Sequence, residues 1–115
     1  MIRDSLKVLG AKWSLLIVRD VVFLGLHRFE EIRRNNAGLT ARVLSRRLQQ
    51  LVAEACSRGR TRGELTYELT VKGEDAVYIL LAVLCYGIRH YVNGADLTED
   101  DAKSLRYRSH CGGRF

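Results

Sequence analysis

The stretch that decides the fold is LTARVLSRRLQQL, residues 39–51. Its apolar residues recur at helical spacing, because Leu44, Leu48 and Leu51 lie four and three residues apart. The opposite side collects polar side chains and no acid: Arg42, Ser45, Arg46 and Gln49. A solvated helix face normally interleaves acids that pair with basic residues one turn away. The stretch therefore predicts a helix with one buried face and one bare cationic face.

Basic residues are concentrated around this helix. From Arg28 to Arg62 the chain has nine basic and three acidic residues, whereas the rest of its 115 residues has ten of each. One third of the chain thus carries the whole net charge of +6. Such a concentration is typical of a surface that binds a polyanion, and the alternative is a generally basic, solvated surface.

Three further helices are predicted before residue 39. A short one ends at Gly10, and a central one follows in KWSLLIVRDVVFLG, residues 12–25, where Trp13 begins the apolar pattern. The stretch RFEEIRRNNAG, residues 28–38, predicts a short helix with Phe29 and Ile32 inward, followed by turn residues. Thr40 is suited to cap the helix predicted over residues 41–55.

After Ala55 the pattern changes to a hairpin and then a long helix. The stretch LTYELTV, residues 65–71, alternates apolar and polar residues and predicts a half-buried strand, with a shorter partner strand at residues 56–60. A long apolar helix is predicted over residues 72–92. The expected fold is mainly α with a small β-hairpin wing, a winged helix-turn-helix in residues 1–94. Residues 95–115 form a tail, either partly helical or disordered.

The polar helix face has the chemistry of DNA recognition. Arginine makes bidentate contacts to guanine, and glutamine makes them to adenine, in the major groove. Arginine and serine can equally hold phosphates, and the sequence leaves the two roles open. Thr40 and the free N–H groups of the helix start suit a phosphate oxygen.

The hairpin and the third helix add further basic candidates. Arg58, Arg60 and Arg62 alternate, so in an extended strand they would point the same way, toward the backbone or a narrow minor groove. The alternative is a mobile basic loop. Arg28, Arg33 and Arg34 are expected to contact phosphates rather than bases. The candidate DNA-binding residues are Arg28, Arg33, Arg34, Thr40, Ala41, Arg42, Ser45, Arg46, Arg47, Gln49, Arg58, Arg60 and Arg62.

Successive segments resemble the HxlR-type winged helix-turn-helix transcriptional regulators, a prokaryotic, MarR-like family. The resemblance covers residues 6–84 and depends on LGAKWSLLIVRDV, HRFEEIRRNNAGLTARVLSRRLQQL and LTYELTVKGED, which occur in the family's order. It implies a homodimeric DNA-binding repressor or activator that reads double-stranded DNA with residues 41–55. The chain has Ala41 where the family usually has proline, and no cysteine before Cys56, which argues against an N-terminal thiol sensor.

The resemblance also implies dimer contacts through the first and last helices. The long helix is apolar nearly all round, more than one small domain can cover, so a second copy is expected to cover the remainder. The alternative is a wholly internal core helix. The candidate interface residues are Leu6, Leu9, Ile79, Leu80, Val83, Leu84, Tyr86, Ile88 and Tyr91.

Other functional classes find little support in the sequence. No nucleophile–base arrangement or phosphate-binding glycine loop is present, so neither an enzyme nor a cofactor is predicted. His110 and Cys111 are too few to predict a metal site. Cys85 is expected to be buried. The sequence does not decide whether Cys56 and Cys111 are reactive thiols.

The sequence predicts a cytoplasmic protein and leaves two alternative functions open. Met1 is followed by no signal pattern, no run reaches membrane-spanning length, and three scattered cysteines favour a reducing cytoplasm. A small-molecule effector is neither indicated nor excluded. Two alternatives to a sequence-specific regulator stay open: a nonspecific architectural DNA-binding protein, and a winged-helix protein-interaction module without DNA.

Overall fold

The computed structural model describes residues 1–91 and 98–110, with side chains described as far as residue 106. Its elements confirm the predicted order of helices and hairpin. They are α1 (Ile2–Leu9), α2 (Ser14–Val22), α3 (Phe29–Asn35), α4 (Ala41–Glu54), β1 (Cys56–Thr61), β2 (Glu64–Leu69), α5 (Val71–Tyr91) and α6 (Glu99–His110).

The core lies where α2, α4 and the start of α5 meet. The inward face of α4 is buried as its spacing predicts, with Leu44 and Leu51 fully buried and Leu48 at 2% exposure. These leucines pack in one apolar cluster with Ile17 of α2 and Ile32 of α3. The quoted stretch is therefore an amphipathic helix held on the domain by its leucine face.

The start of α4 is capped as predicted. The backbone N–H of Val43 donates to Thr40 Oγ1 at 3.2 Å, while Thr40 itself has extended backbone geometry. Leu39, just before the cap, is buried in the same cluster as Leu44, which fits a hydrophobic staple. The cap fixes where the helix begins and so which side chains face outward.

Replacing Thr40 by alanine is expected to lower the free energy of unfolding by about 1 kcal/mol, because the Val43 N–H loses its partner at the helix start. Urea unfolding followed by circular dichroism measures this change. Thr40→Ser is the matched control, since its hydroxyl keeps the cap, and it should unfold near the wild-type midpoint. Equal midpoints for the alanine variant and wild type would contradict the capping role.

The wing is an antiparallel hairpin in which Cys56 pairs with Leu69 and Thr61 pairs with Glu64. Its two-residue loop is Arg62-Gly63, and both residues have positive φ, 54° and 82°. This combination is typical of the tight turns whose twist matches the paired strands. Arg62 therefore sits in the turn, and the prediction that it continues the strand alternation of Arg58 and Arg60 is wrong.

The second strand is shorter and less buried than predicted. Tyr67 is buried at 5% exposure, but Leu65 is exposed and Val71 is 83% exposed at the start of α5. The strand ends because Thr70 caps the next helix: the Gly73 N–H donates to Thr70 Oγ1 at 3.1 Å.

The wing is also tied to the segment before α3, where the Tyr67 N–H donates to the His27 carbonyl at 2.8 Å.

The helix α6 lies within the predicted tail, residues 95–115. It packs against α5 and reaches α2 through Asp100, whose Oδ2 lies 3.4 Å from Arg19 Nη2. The boundary predicted at residues 94 and 95 falls outside the described residues.

Candidate nucleic-acid interface

The outward face of α4 is exposed, and the described part of the chain offers it no partner. Arg42, Ser45, Arg46 and Gln49 are all exposed in the structure. None of their side chains makes a hydrogen bond or ion pair with residues 1–91 or 98–106. The helix has no acid in its first turn, and its only acid is Glu54 at the far end, which pairs with Lys72 at 2.7 Å. The cationic face is thus available to an external partner.

The N-terminal end of α4 adds a positive partial charge to this face. The first N–H groups of a helix have no partner within the helix, and its dipole is positive at that end. Ala41 and Arg42 form the exposed first turn here, beside the exposed Thr40. Their position suits an anionic oxygen such as that of a phosphate.

The arginines near α3 separate into paired and unpaired groups. Arg28 Nη1 lies 2.8 Å from the Glu64 carboxylate, and Arg33 Nη2 lies 2.8 Å from that of Glu30. The bonds from Arg33 hold the pKa of Glu30 below its ordinary value and raise the pKa of the guanidinium. Arg34 is exposed and has no such partner within the described part of the chain.

Arg47 has a structural contact that its sequence position did not indicate. Its Nε donates to the Lys12 carbonyl at 2.8 Å, and its Nη1 donates to Gln50 Oε1 at 3.1 Å. The bond to Lys12 holds α4 against the turn between α1 and α2, while the bond to Gln50 lies within α4. Arg47 is therefore less accessible to DNA than Arg42 or Arg46.

The wing presents its arginines to solvent. Arg58, Arg60 and Arg62 are exposed, and Arg60 Nη1 donates to the Gly63 carbonyl at 3.3 Å across the turn. Arg58 and Arg60 are two residues apart on β1, so their side chains leave the same side of the hairpin. The pairing of Arg28 with Glu64 places a further guanidinium beside the wing.

A buried polar cluster behind the helix-turn-helix was missed by the sequence analysis. Asp20 is 0% exposed; its Oδ1 accepts from Arg19 Nη2 at 2.8 Å and its Oδ2 from Asn36 Nδ2 at 2.6 Å. Asn35 Nδ2 donates to both Asp20 and Asp100. Burial raises the pKa of Asp20, and the bonds from Arg19, Asn36 and Asn35 oppose that rise. The sequence signal that could have revealed this cluster is the position of Asp20, an acidic residue within the otherwise largely apolar helix α2.

The cluster fixes the turn that precedes α4. Asn36 Nδ2 donates to the Ile32 carbonyl at 2.8 Å as well as to Asp20, so the end of α3 is bonded to α2. The Leu39 N–H then donates to the Asn36 carbonyl at 3.1 Å. The turn between the two helices is held from inside the protein, and this sets how α4 projects.

The candidate dimer residues fall into exposed and buried groups. Exposed apolar side chains occur at Leu6 of α1 and along α5, whereas Leu9, Leu84 and Ile88 are half-buried. Leu80 is 7% exposed and belongs to the core cluster, so its side chain is already covered within one chain. The exposed members on α5 are Ile79, Val83, Tyr86 and Tyr91.

Within the described residues, the cysteines form neither a reactive nor a metal-binding site. Cys56 is 1% exposed, and burial raises its pKa to about 11, so the thiol stays protonated and unreactive. Cys85 is half-buried rather than buried, and Cys111 lies outside the described residues. The described residues contain no group of metal-binding side chains, and no described helix has the length and apolar character to cross a bilayer.

Two helices joined by a fixed turn, with a basic hairpin after the second, define a winged helix-turn-helix protein. The chain belongs to the HxlR-like helix-turn-helix family, whose family model matches residues 8–95. The chain is 30% identical to uncharacterized HTH-type transcriptional regulators of Mycobacterium bovis and Mycobacterium tuberculosis, over 94% of its own length. It spans 66% of the length of these relatives, slightly under two thirds.

Solved structures show the same fold. PA1607, a candidate transcription factor, is 33% identical with a TM-score of 0.70, covering 82% of this chain and 66% of that one. A possible HxlR family transcriptional factor from Thermoplasma volcanium is 31% identical with a TM-score of 0.62, covering 70% and 75%. The family and these relatives are transcriptional regulators rather than enzymes.

Proposed function

We propose that the protein is a sequence-specific regulator of transcription that binds double-stranded DNA as a homodimer in the cytoplasm. The observation that carries this proposal is the outward face of α4, where Arg42 and Arg46 are exposed and have no acidic partner among the described residues. An α-helix fits the major groove of B-DNA. Each base pair presents a distinct pattern of hydrogen-bond donors and acceptors there, which arginine and glutamine side chains can read. Arg42, Arg46 and Gln49 are the proposed base-reading residues.

The remaining cations position the protein on the DNA backbone. Residues 57–64 lie on the flanking groove or backbone, with Arg58 and Arg62 as the contacts, while Arg34 and Thr40 hold phosphates near α4. Contacts of this kind are independent of base sequence and make affinity fall with salt. Arg28 and Arg33 can contact phosphates only when their ion pairs with Glu64 and Glu30 open. We therefore assign Arg28 and Arg33 a smaller share of the affinity for DNA.

The exposed apolar residues of α1 and α5 support dimerisation. Ile79, Val83 and Tyr86 are 40%, 55% and 59% exposed on one long helix, a surface that a monomer would leave in water. A second copy of the chain covers it, together with Leu6 of α1. A two-fold symmetric dimer presents two α4 helices to half-sites roughly 34–36 Å apart, one turn of DNA.

A titration against DNA tests sequence specificity. The protein is titrated at fixed salt against the DNA upstream of its own gene and against a scrambled duplex of equal length and composition. Specific sites typically bind at least about 1,000-fold tighter than nonspecific DNA, so that ratio is the expected result. Fluorescence anisotropy gives both dissociation constants.

Each other outcome selects an alternative. Equal, salt-sensitive affinity for both duplexes would contradict specificity and leave a nonspecific architectural protein. No binding to either duplex at low salt would leave a protein-interaction module. Analytical ultracentrifugation of the free protein tests the dimer separately.

A further inference from the structure

One ion pair joins the wing to the start of α3. Arg28 Nη1 lies 2.8 Å from Glu64 Oε2, while Arg28 Nε lies 3.8 Å from Glu31 Oε1 of α3. Glu64 is the first residue of β2, directly after the turn formed by Arg62 and Gly63. The acid that pairs with Arg28 is therefore near the tip of the wing, beside an arginine that is proposed to contact DNA.

The backbone keeps these two side chains close together. Arg28 has extended geometry and forms an antiparallel bridge with Thr66, on the edge of β2 opposite β1. Beside this bridge, the Tyr67 N–H donates to the His27 carbonyl at 2.8 Å. Because this backbone pairing does not depend on the ion pair, Glu64 stays within reach of Arg28 when the pair opens.

The pair is exposed, so a phosphate can compete for the guanidinium. The side chains of Arg28 and Glu64 are 45% and 60% exposed, whereas those of the paired Arg19 and Asp20 are 19% and 0% exposed. Water and salt screen an exposed pair, which changes an equilibrium by about fivefold at most. Arginine binds carboxylates and phosphates with the same donors. The Glu64 carboxylate thus occupies the donors that a DNA phosphate would use, and a phosphate can displace it.

The outward face of α4 differs in this respect. Arg42 and Arg46 have no acidic partner among the residues that the structure describes. The cations proposed to read bases are therefore available before DNA arrives, whereas Arg28 is already occupied by the wing.

We propose that Glu64 is an internal competitor of DNA that keeps Arg28 from the phosphates. When Arg28 turns to a phosphate, the Glu64 carboxylate loses its partner and faces the negatively charged backbone. Glu64 therefore weakens binding to DNA of any sequence and leaves discrimination between sequences to α4. This inference rests on the proposed DNA binding and adds a residue that opposes it.

Replacing Glu64 by glutamine tests the competition, because glutamine keeps the size of the side chain and removes its charge. Fluorescence anisotropy is expected to show about two- to fivefold tighter binding to the upstream and the scrambled duplex alike. The slope of log affinity against log salt concentration should steepen by about 0.9, the value for one more phosphate contact.

Glu68→Gln is the matched control. Glu68 is exposed on the same side of β2 as Glu64, two residues to the other side of Thr66, and forms no ion pair with the described residues. Its replacement should leave the salt slope at the wild-type value. Adding Glu64→Gln to an Arg28→Gln variant should also leave the slope unchanged, since no guanidinium is released.

Three results would overturn the proposal while wild type binds DNA. Equal effects of Glu64→Gln and Glu68→Gln, including no effect of either, would show that the Arg28 pair does not limit affinity. A gain that persists in the Arg28→Gln background would show that Glu64 acts without Arg28. Tighter binding to the upstream duplex alone would place Glu64 in base recognition.

Failure of the proposed function gives a different result. If wild type and every variant bind neither duplex at low salt, DNA binding itself is wrong, and the competition is wrong with it. Circular dichroism checks that each variant is folded. Glu64→Ala, at the same exposed position, replaces the glutamine variant if that variant does not fold.

Discussion

Replacing Arg42 and Arg46 together by glutamate is expected to abolish specific DNA binding. Each bidentate contact between arginine and guanine is worth about 1–3 kcal/mol, so two lost contacts weaken binding from roughly 30-fold to more than 10,000-fold. Carboxylates facing the phosphates add repulsion. Fluorescence anisotropy with the upstream DNA measures the loss. Because both side chains are exposed and unpaired in the described protein, the fold is expected to survive the change.

A matched control separates position from net charge. Arg89→Glu combined with Arg106→Glu changes the charge by the same amount at exposed positions on α5 and α6. This control should retain DNA binding within a few-fold at moderate salt, because screening weakens distant charges beyond about 10 Å. If both double variants lose binding equally, overall charge rather than the α4 face determines affinity. Circular dichroism of each variant checks that it is folded.

Gly73→Ala is expected to lower the free energy of unfolding by about 3 kcal/mol or more, although alanine normally favours a helix over glycine. Gly73 is buried in the first turn of α5, where an added Cβ would overlap the backbone carbonyl of Ala55. That carbonyl also accepts the Thr70 N–H at 3.0 Å and the Thr70 hydroxyl at 3.1 Å. Backbone held by two hydrogen bonds cannot move aside without losing them, and overpacking of this kind is costly.

A glycine-to-alanine substitution elsewhere in α5 should raise the free energy of unfolding instead of lowering it. A Cβ at Gly87 meets nothing within 4 Å, so Gly87→Ala is expected to stabilise the protein by about 0.5–1 kcal/mol. Urea unfolding of the two variants beside wild type measures both shifts. Stabilisation by Gly73→Ala would show that α5 does not approach the end of α4 as closely as described.

Much of the fold follows from local patterns in the sequence. The 4-3-4 spacing of Leu44, Leu48, Leu51 and Ala55 predicted which face of α4 is buried, and all four residues are in the core. Thr40 predicted the start of that helix, and the glycine- and arginine-rich stretch after Ala55 predicted a basic hairpin. Each of these signals depends on residues within a few positions of one another.

The candidate site was less predictable because pairing is decided across the fold. Arg28 and Glu64 are 36 positions apart, and Arg47 and Lys12 are 35 apart, yet both pairs are in contact. No local pattern distinguishes these arginines from Arg42 and Arg46, which have no partner among the residues that the structure describes. The buried Asp20 likewise accepts a hydrogen bond from Asn36, which lies 16 positions away along the chain.

The buried Cys56 can report local opening of the structure at the junction between α4 and β1. Its sulfur is enclosed where the end of α4 passes into β1, and its thiol keeps its proton at neutral pH. Alkylation requires the thiolate as the nucleophile, so the buried, protonated Cys56 is not alkylated while that junction is closed. The rate at which Cys56 is alkylated therefore measures how often the junction between α4 and the wing opens.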